Sequence, residues 1–186
     1  MGVDSSVRRA VFLDRDGVIN RALIRDGKPF PPAGIGELDI LPNVFDALTR
    51  LRTAGFLLIV VTNQPDVARG TERREIVDDM HAHIGTLLPI DDFRICDHDD
   101  DDDCRCRKPK DGLLRDAARA WNIDLAQSFL VGDRWRDIDA GSSAGCTTVF
   151  IDYCYNERRP ERCDVTVASL GEAADWILAN NRSAHR

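Results

Sequence analysis

The sequence predicts a doubly wound α/β fold on a mainly parallel sheet, and three observations carry that expectation. Short apolar runs and helix-period segments alternate along most of the 186 residues, the order that builds βαβ units. The run "FLLIVVTN" (56–63) is apolar at consecutive positions, which suits a strand covered on both faces rather than one with a face in water. Polar signatures follow directly on several of these runs, and ligands in open α/β sheets bind beyond the carboxyl ends of the strands.

Each element follows from its own pattern. "RRAVFLD" (8–14) reads as a buried strand ending on an acid. In "NVFDALTRLRTAG" (43–55), Val44, Ala47, Leu48 and Leu51 recur at helical spacing between Pro42 as a start signal and Gly55 as a stop. A second helix is expected after Thr71, with Ile76, Val77, Met80, Ile84 and Leu87 on one face. "FRIC" (93–96) is a short strand, and Leu113, Leu114, Ala117, Ala118 and Trp121 mark a third helix. "FLVGD" (129–133) is a strand, followed by a helix through Ile138 to Ala144 and by the strands "TTVFI" and "DVTV". A final helix starts from a Ser169/Glu172 capping box. The irregular, Gly- and Pro-containing segment 17–42 is expected to lie as a flap over one end of the sheet.

Composition narrows the function classes. Hydrophobic content of 43% and charged content of 31% are those of a soluble globular chain large enough for one core. A net charge of −7 with no segregated basic stripe argues against nucleic-acid and anionic-membrane partners. No apolar run is long enough to span a bilayer, and "MGVDSSVRRAVFLD" lacks the basic-then-apolar order of a signal peptide, so a cytoplasmic monomer is expected. Of six cysteines, Cys96, Cys104 and Cys106 fall with His98 inside eleven positions. In a reducing compartment such a cluster reads as a metal site, and three thiolates with one imidazole make a closed set that suits structural Zn²⁺. Cys146, Cys154 and Cys163 have no partner pattern.

Four strand-end signatures carry the chemistry. In "FLDRDGV", Asp14 and Asp16 can divide the work of nucleophile and general acid at one centre. A calcium loop would need a preceding helix and Glu at its twelfth position; here a strand precedes and that position is Arg25. "TNQ" offers Thr62 and Asn63 to an oxyanion, "RKP" offers Arg107 and Lys108 as cations, and "GDRWRD" places Asp133 where a carboxylate completes a Mg²⁺ shell.

In that order, "FLDRDGVIN", "VVTNQ", "CRKPK" and "VGDRWRDI" resemble the four motifs of the haloacid-dehalogenase superfamily of phosphatases, over residues 8–150. The cysteine–histidine segment resembles that superfamily's zinc-containing branch, which holds D-glycero-D-manno-heptose 1,7-bisphosphate phosphatases and histidinol-phosphate phosphatases. The resemblance implies a Rossmann-like domain over 1–186 without a separate cap, with the flap at 17–42 and a zinc loop at 96–106. It implies Asp14 as nucleophile, Asp16 as general acid and then base, and Thr62 and Lys108 on the phosphoryl group with Asn63 nearby. Arg107 and Arg134 match positions that contact substrate. Magnesium would be held by Asp14, the Asp16 carbonyl and Asp133, and zinc by Cys96, His98, Cys104 and Cys106. The leading substrate is then the heptose bisphosphate, losing its 7-phosphate, with histidinol phosphate as the alternative. A nucleic-acid 3′-phosphatase and a non-enzymatic zinc module rank lower. The acidic run Asp99–Asp103 reads either as a solvated loop tip or as a greeting for a cationic substrate.

Overall fold

The uniformly apolar run becomes strand β4 (Phe56–Asn63), and its surroundings explain why it has no polar face. Phe56, Leu58 and Val60 pack into one core layer while Leu57, Ile59 and Val61 pack into the other. Strand β1 (Arg9–Leu13) divides the same way, with Val11 and Leu13 on one side and Ala10 and Phe12 on the other. The computed structural model describes residues 7–181, so both ends of the expected domain, 1–6 and 182–186, lie outside the described residues.

The sheet has strand order β5-β4-β1-β6-β7-β8 and is parallel throughout, with β5 (Asp92–Cys96), β6 (Phe129–Gly132), β7 (Thr147–Ile151) and β8 (Val165–Val167). Helices α1 (Val44–Thr53), α2 (Arg74–Leu87) and α5 (Leu170–Asn181) contribute to the core on one face, and α3 (Gly112–Trp121) and α4 (Trp135–Ala144) to that on the other. The chain starts at the centre on β1, builds outward through β4 to β5, then returns to β6 on the opposite side of β1. That reversal puts the topological switch point at the carboxyl end of β1. Among the described residues, no helix is long and apolar enough to cross a membrane.

Three local features differ from the sequence reading. The buried stripe of α2 is Val77, Met80, His81 and Ile84, continued by Leu88, while Leu87 is exposed. The flap is not wholly irregular: β2 (Leu23–Arg25) and β3 (Lys28–Phe30) pair antiparallel around Asp26 and Gly27, both with positive φ. That is the Asp-Gly two-residue turn, whose twist matches the strands it joins. At α5, Ser169 Oγ accepts from the Glu172 N–H as the capping box requires, but the Glu172 carboxylate accepts from Ala168 rather than Ser169.

Candidate active site

The residue after β1, Asp14, continues the ladder by donating its N–H to Val131 O, so its side chain emerges at the switch point. Lys108 arrives from the loop after β5 and is almost wholly buried. Its three ammonium donors are all used, on Asp14 Oδ1 (2.9 Å), Val61 O (2.8 Å) and Asp137 Oδ1 (2.5 Å). Burial works against the ammonium, but Asp137 and Asp14 outweigh it and hold its pKa above that of ordinary lysine. Asn63 at the end of β4 fixes the Lys108 backbone reciprocally, donating to its carbonyl (3.0 Å) and accepting from its N–H (3.1 Å). The Lys108–Pro109 peptide bond is cis.

Asp133, after β6, and Asp137, in the first turn of α4, bring two more buried carboxylates to the same point. Ligand atoms of Asp14, Asp133 and Asp137 all lie within 4.8 Å of one another. Burial pushes Asp14 up to about 6, against the pull of Lys108. Burial, then the charges of Asp14 and Asp137, raises Asp133 well above the carboxylate range. Three carboxylates against one ammonium leave excess negative charge, and Asp133 Oδ1 is buried without a partner. This donor set fits a hard divalent cation, which takes carboxylate oxygens and keeps several waters. Glycine is required at two positions for this crowding: a Cβ on Gly17 (φ +86) would collide with the Asp133 carboxylate, and one on Gly132 with Asp137. Asp137 is a site residue the sequence reading missed, although it closes the quoted "GDRWRD".

Asp16 stands apart from that cluster and every contact it makes is a clamp. Arg15 Nη2 donates to it at 2.9 Å, Asn20 Nδ2 at 3.0 Å and Gln64 Nε2 at 3.0 Å. Burial alone would raise its pKa, but the Arg15 charge and these donors bring it below the usual range. Arg15 is in turn fully buried, with Nη1 3.2 Å from His81 Nε2, and His81 stacks on Phe93 at 4.9 Å. Thr62 is buried and its hydroxyl accepts from Gln64, leaving its own O–H to donate.

A cavity of about 270 Å³ opens over Asp14, Asp16, Lys108 and Asp137. Its rim carries Lys28 from the flap with Arg69, Arg107, Arg134 and Arg136, five cations beyond Lys108. Part of the acidic run is counter-charge to three of these cations, which neither sequence reading anticipated, while Asp100–Asp103 stay exposed as at a solvated loop tip. Asp99 pairs with Arg69 (2.7 Å), Asp100 with Arg107 (2.8 Å) and Arg136 (3.2 Å), and Asp103 with Lys110 (2.6 Å), while Asp97 holds Arg74 (2.7 Å). Arg134 is engaged by Glu157, from the loop after β7.

Beside this rim, Cys96, His98, Cys104 and Cys106 converge. Their sulfurs are 3.2–3.7 Å apart and His98 Nδ1 is 3.4 Å from Cys106 Sγ. A tetrahedral zinc with ordinary Zn–S bonds spaces its sulfurs by about 3.8 Å, so the quartet fits one ion after slight expansion. The Arg107 N–H donates to Cys104 Sγ at 3.4 Å, tying the cluster directly to the residue before Lys108.

With this geometry in view, a family model described as HAD-hydrolase-like matches residues 105–173. The chain is 38% identical to the D-glycero-beta-D-manno-heptose-1,7-bisphosphate 7-phosphatase of Bordetella bronchiseptica, over 74% of this chain and 77% of that protein. It is 33% identical to the D-glycero-alpha-D-manno-heptose-1,7-bisphosphate 7-phosphatase of Burkholderia mallei, over 94% and 90% of the two chains. The crystal structure of the D,D-heptose 1,7-bisphosphate phosphatase from B. bronchiseptica, complexed with magnesium and phosphate, superposes with a TM-score of 0.77 at 31% identity, over 92% of this chain and 99% of that one. The parallel sheet, the strand-end carboxylates and these relatives agree, and the chain belongs to the haloacid-dehalogenase-like hydrolase family.

Proposed function

We propose that this protein is a magnesium-dependent phosphatase that removes the 7-phosphate of a D-glycero-D-manno-heptose 1,7-bisphosphate. The observation that carries the reading is the Asp14–Lys108–Asp137 triad set beneath a cavity ringed by five further cations. One phosphoryl group has its nucleophile and counter-charge at the floor, and the rim cations, four of which also hold carboxylates, keep N–H donors for a second anionic group. Relatives named for one or the other anomer of such a bisphosphate support the sugar assignment.

In this mechanism an Asp14 carboxylate oxygen attacks phosphorus while the bond to the sugar oxygen breaks. Asp16, ionised in the empty site, takes up one proton with the incoming substrate and passes it to that leaving oxygen. Water then attacks the aspartyl phosphate, Asp16 takes the water's proton, and inorganic phosphate leaves with Asp14 restored. Lys108 and the Thr62 hydroxyl hold the phosphoryl oxygens, and Asn63 keeps Lys108 in place. Arg107 and Arg134 face the rest of the substrate. Asp14, Asp133 and the Asp16 carbonyl would hold magnesium, with Asp137 beside them; once bound, the ion supplies positive charge to the transferring group. Cys96, His98, Cys104 and Cys106 would hold a structural zinc that stiffens the loop delivering Arg107 and Lys108. We take the chain to work as a cytoplasmic, single-domain monomer.

Histidinol phosphate falls behind as a substrate because three of the aspartates that would greet its ammonium, Asp99, Asp100 and Asp103, are engaged by the protein's own cations. The deciding experiment measures phosphate release with magnesium from both heptose bisphosphate anomers and from histidinol phosphate, with Asp14→Asn as control. The highest kcat/KM on one heptose anomer is expected. A preference for histidinol phosphate overturns the sugar assignment, and an unimpaired Asp14→Asn overturns the phosphatase mechanism.

A further inference from the structure

We propose that Tyr155, Asn156 and Glu157, consecutive residues in the β7–β8 loop, form one positioning segment that sets a metal carboxylate, the flap and a substrate arginine together. The proposal rests on the reading above of Asp133 as a magnesium ligand and Arg134 as a substrate contact. None of the three residues belongs to a motif read from the sequence, and each grips a different part of the site.

The Tyr155 hydroxyl donates to Asp133 Oδ2 at 2.9 Å. With that oxygen occupied and the other, Oδ1, buried and unpartnered, the carboxylate has one orientation and one oxygen left for a cation. Groups that hydrogen-bond a metal ligand in this way fix its orientation and tune its affinity. Tyr155 is itself steadied by stacking on Tyr153, with ring centroids 5.5 Å apart and planes 27° from parallel. The Asn156 N–H donates to Gly27 O at 2.8 Å, at the turn of the flap hairpin and one residue before cavity-lining Lys28. The approach is close: a Cβ on Gly27 would stand 2.9 Å from Asn156 Cβ. Glu157 accepts from Arg134 Nε at 2.9 Å and Nη2 at 2.6 Å, a two-pronged pairing that fixes the guanidinium plane at the cavity wall. One short tripeptide, turned by the Glu157 N–H donating to Tyr155 O at 2.8 Å, therefore registers the metal side, the lid side and the substrate side of the pocket against each other.

The test separates the two ends of the segment. Tyr155→Phe removes one oxygen and keeps the stacked ring. Its magnesium dissociation constant, measured by titration calorimetry on the full chain without substrate, is expected to rise about tenfold, the usual cost of losing a contact behind a metal ligand. Its KM for the heptose bisphosphate at saturating magnesium should stay within about twofold, since Arg134 is untouched. Glu157→Gln should do the reverse, raising KM several-fold with magnesium affinity unchanged, so a fold lost in one variant still leaves the other half open to refutation. Asp133→Asn serves as reference. Native magnesium affinity in Asp133→Asn overturns the metal assignment itself. Loss of affinity there together with native affinity in Tyr155→Phe overturns the positioning role alone. A general loss of both parameters in both variants reduces the segment to a packing element and also overturns the proposal.

Discussion

Lys108 Nζ lies 2.9 Å from Asp14 Oδ1, although 94 positions separate the two residues in the chain. The contact pairs the proposed nucleophile with the cation that neutralises its buried charge, and Asp137 takes a second ammonium donor at 2.5 Å. Removing one member of a buried charge cluster leaves the others uncompensated.

Lys108→Met is therefore expected to lower kcat by about 10²- to 10³-fold, the range for loss of one charge-stabilising donor. It should also change the pH dependence of stability. Burial raises the pKa of Asp14 to about 6, above its unfolded value of 3.8, so the penalty on its charge is absent below the unfolded value and accrues as pH rises through about 6. Without the ammonium that penalty grows. Urea melts from pH 5 to 8 without added metal should show the variant's deficit widening with pH; a deficit independent of pH would contradict the charge argument.

Asp16 is held ionised in the resting site by Arg15, Asn20 and Gln64. The proton it takes up with substrate matters most for a poor leaving group. Asp16→Asn should cut turnover of a sugar phosphate by about 10²- to 10⁴-fold and affect the first step with an aryl phosphate much less. Single-turnover assays on both substrates check this, and equal losses on the two would remove Asp16 from the role of acid.

The Cys96–Cys106 loop is linked to the segment carrying Lys108 through the Arg107 N–H on Cys104 Sγ. Protein as purified should contain about one zinc per chain by mass spectrometry, the complement of a closed four-ligand site. Replacing Cys104 and Cys106 by Ser should abolish that zinc and lower activity about tenfold or more, even at saturating magnesium. Full activity in the zinc-free protein would separate the loop from catalysis.

His81 is buried beneath Arg15, and burial, reinforced by the Arg15 charge, lowers its pKa to about 4. The unfolded chain then binds a proton between about pH 6.5 and 4 that the folded one does not, so stability rises with pH across that window. The native protein should lose on the order of a few kcal/mol to this group on acidification from 6.5 to 4. His81→Gln, which keeps an acceptor for Arg15, should flatten that stretch of the curve. An unchanged slope in the variant would assign the acid sensitivity to other groups.

The fold class and the strand-end signatures were legible because each is written in contiguous residues. A strand buried on both faces has no polar positions, as over Phe56–Val61, and an α/β sheet puts its working residues at or just past the end of such runs. The quartet Cys96, His98, Cys104 and Cys106 was legible for the same reason, its ligands lying within eleven positions. Even the flap hairpin was announced, by Asp26-Gly27, and went unread amid the neighbouring prolines.

What only the tertiary structure decided was pairing across distance. The sequence places Asp99–Asp103 in one acidic run but does not say that Asp99, Asp100 and Asp103 meet Arg69, Arg107, Arg136 and Lys110. Nor does it say that Tyr155 and Glu157 reach back to Asp133 and Arg134. A helix or strand is selected by period and burial, which a short window records. A hydrogen bond or ion pair between remote side chains depends on where the packed sheet brings two loops, and no local pattern records that.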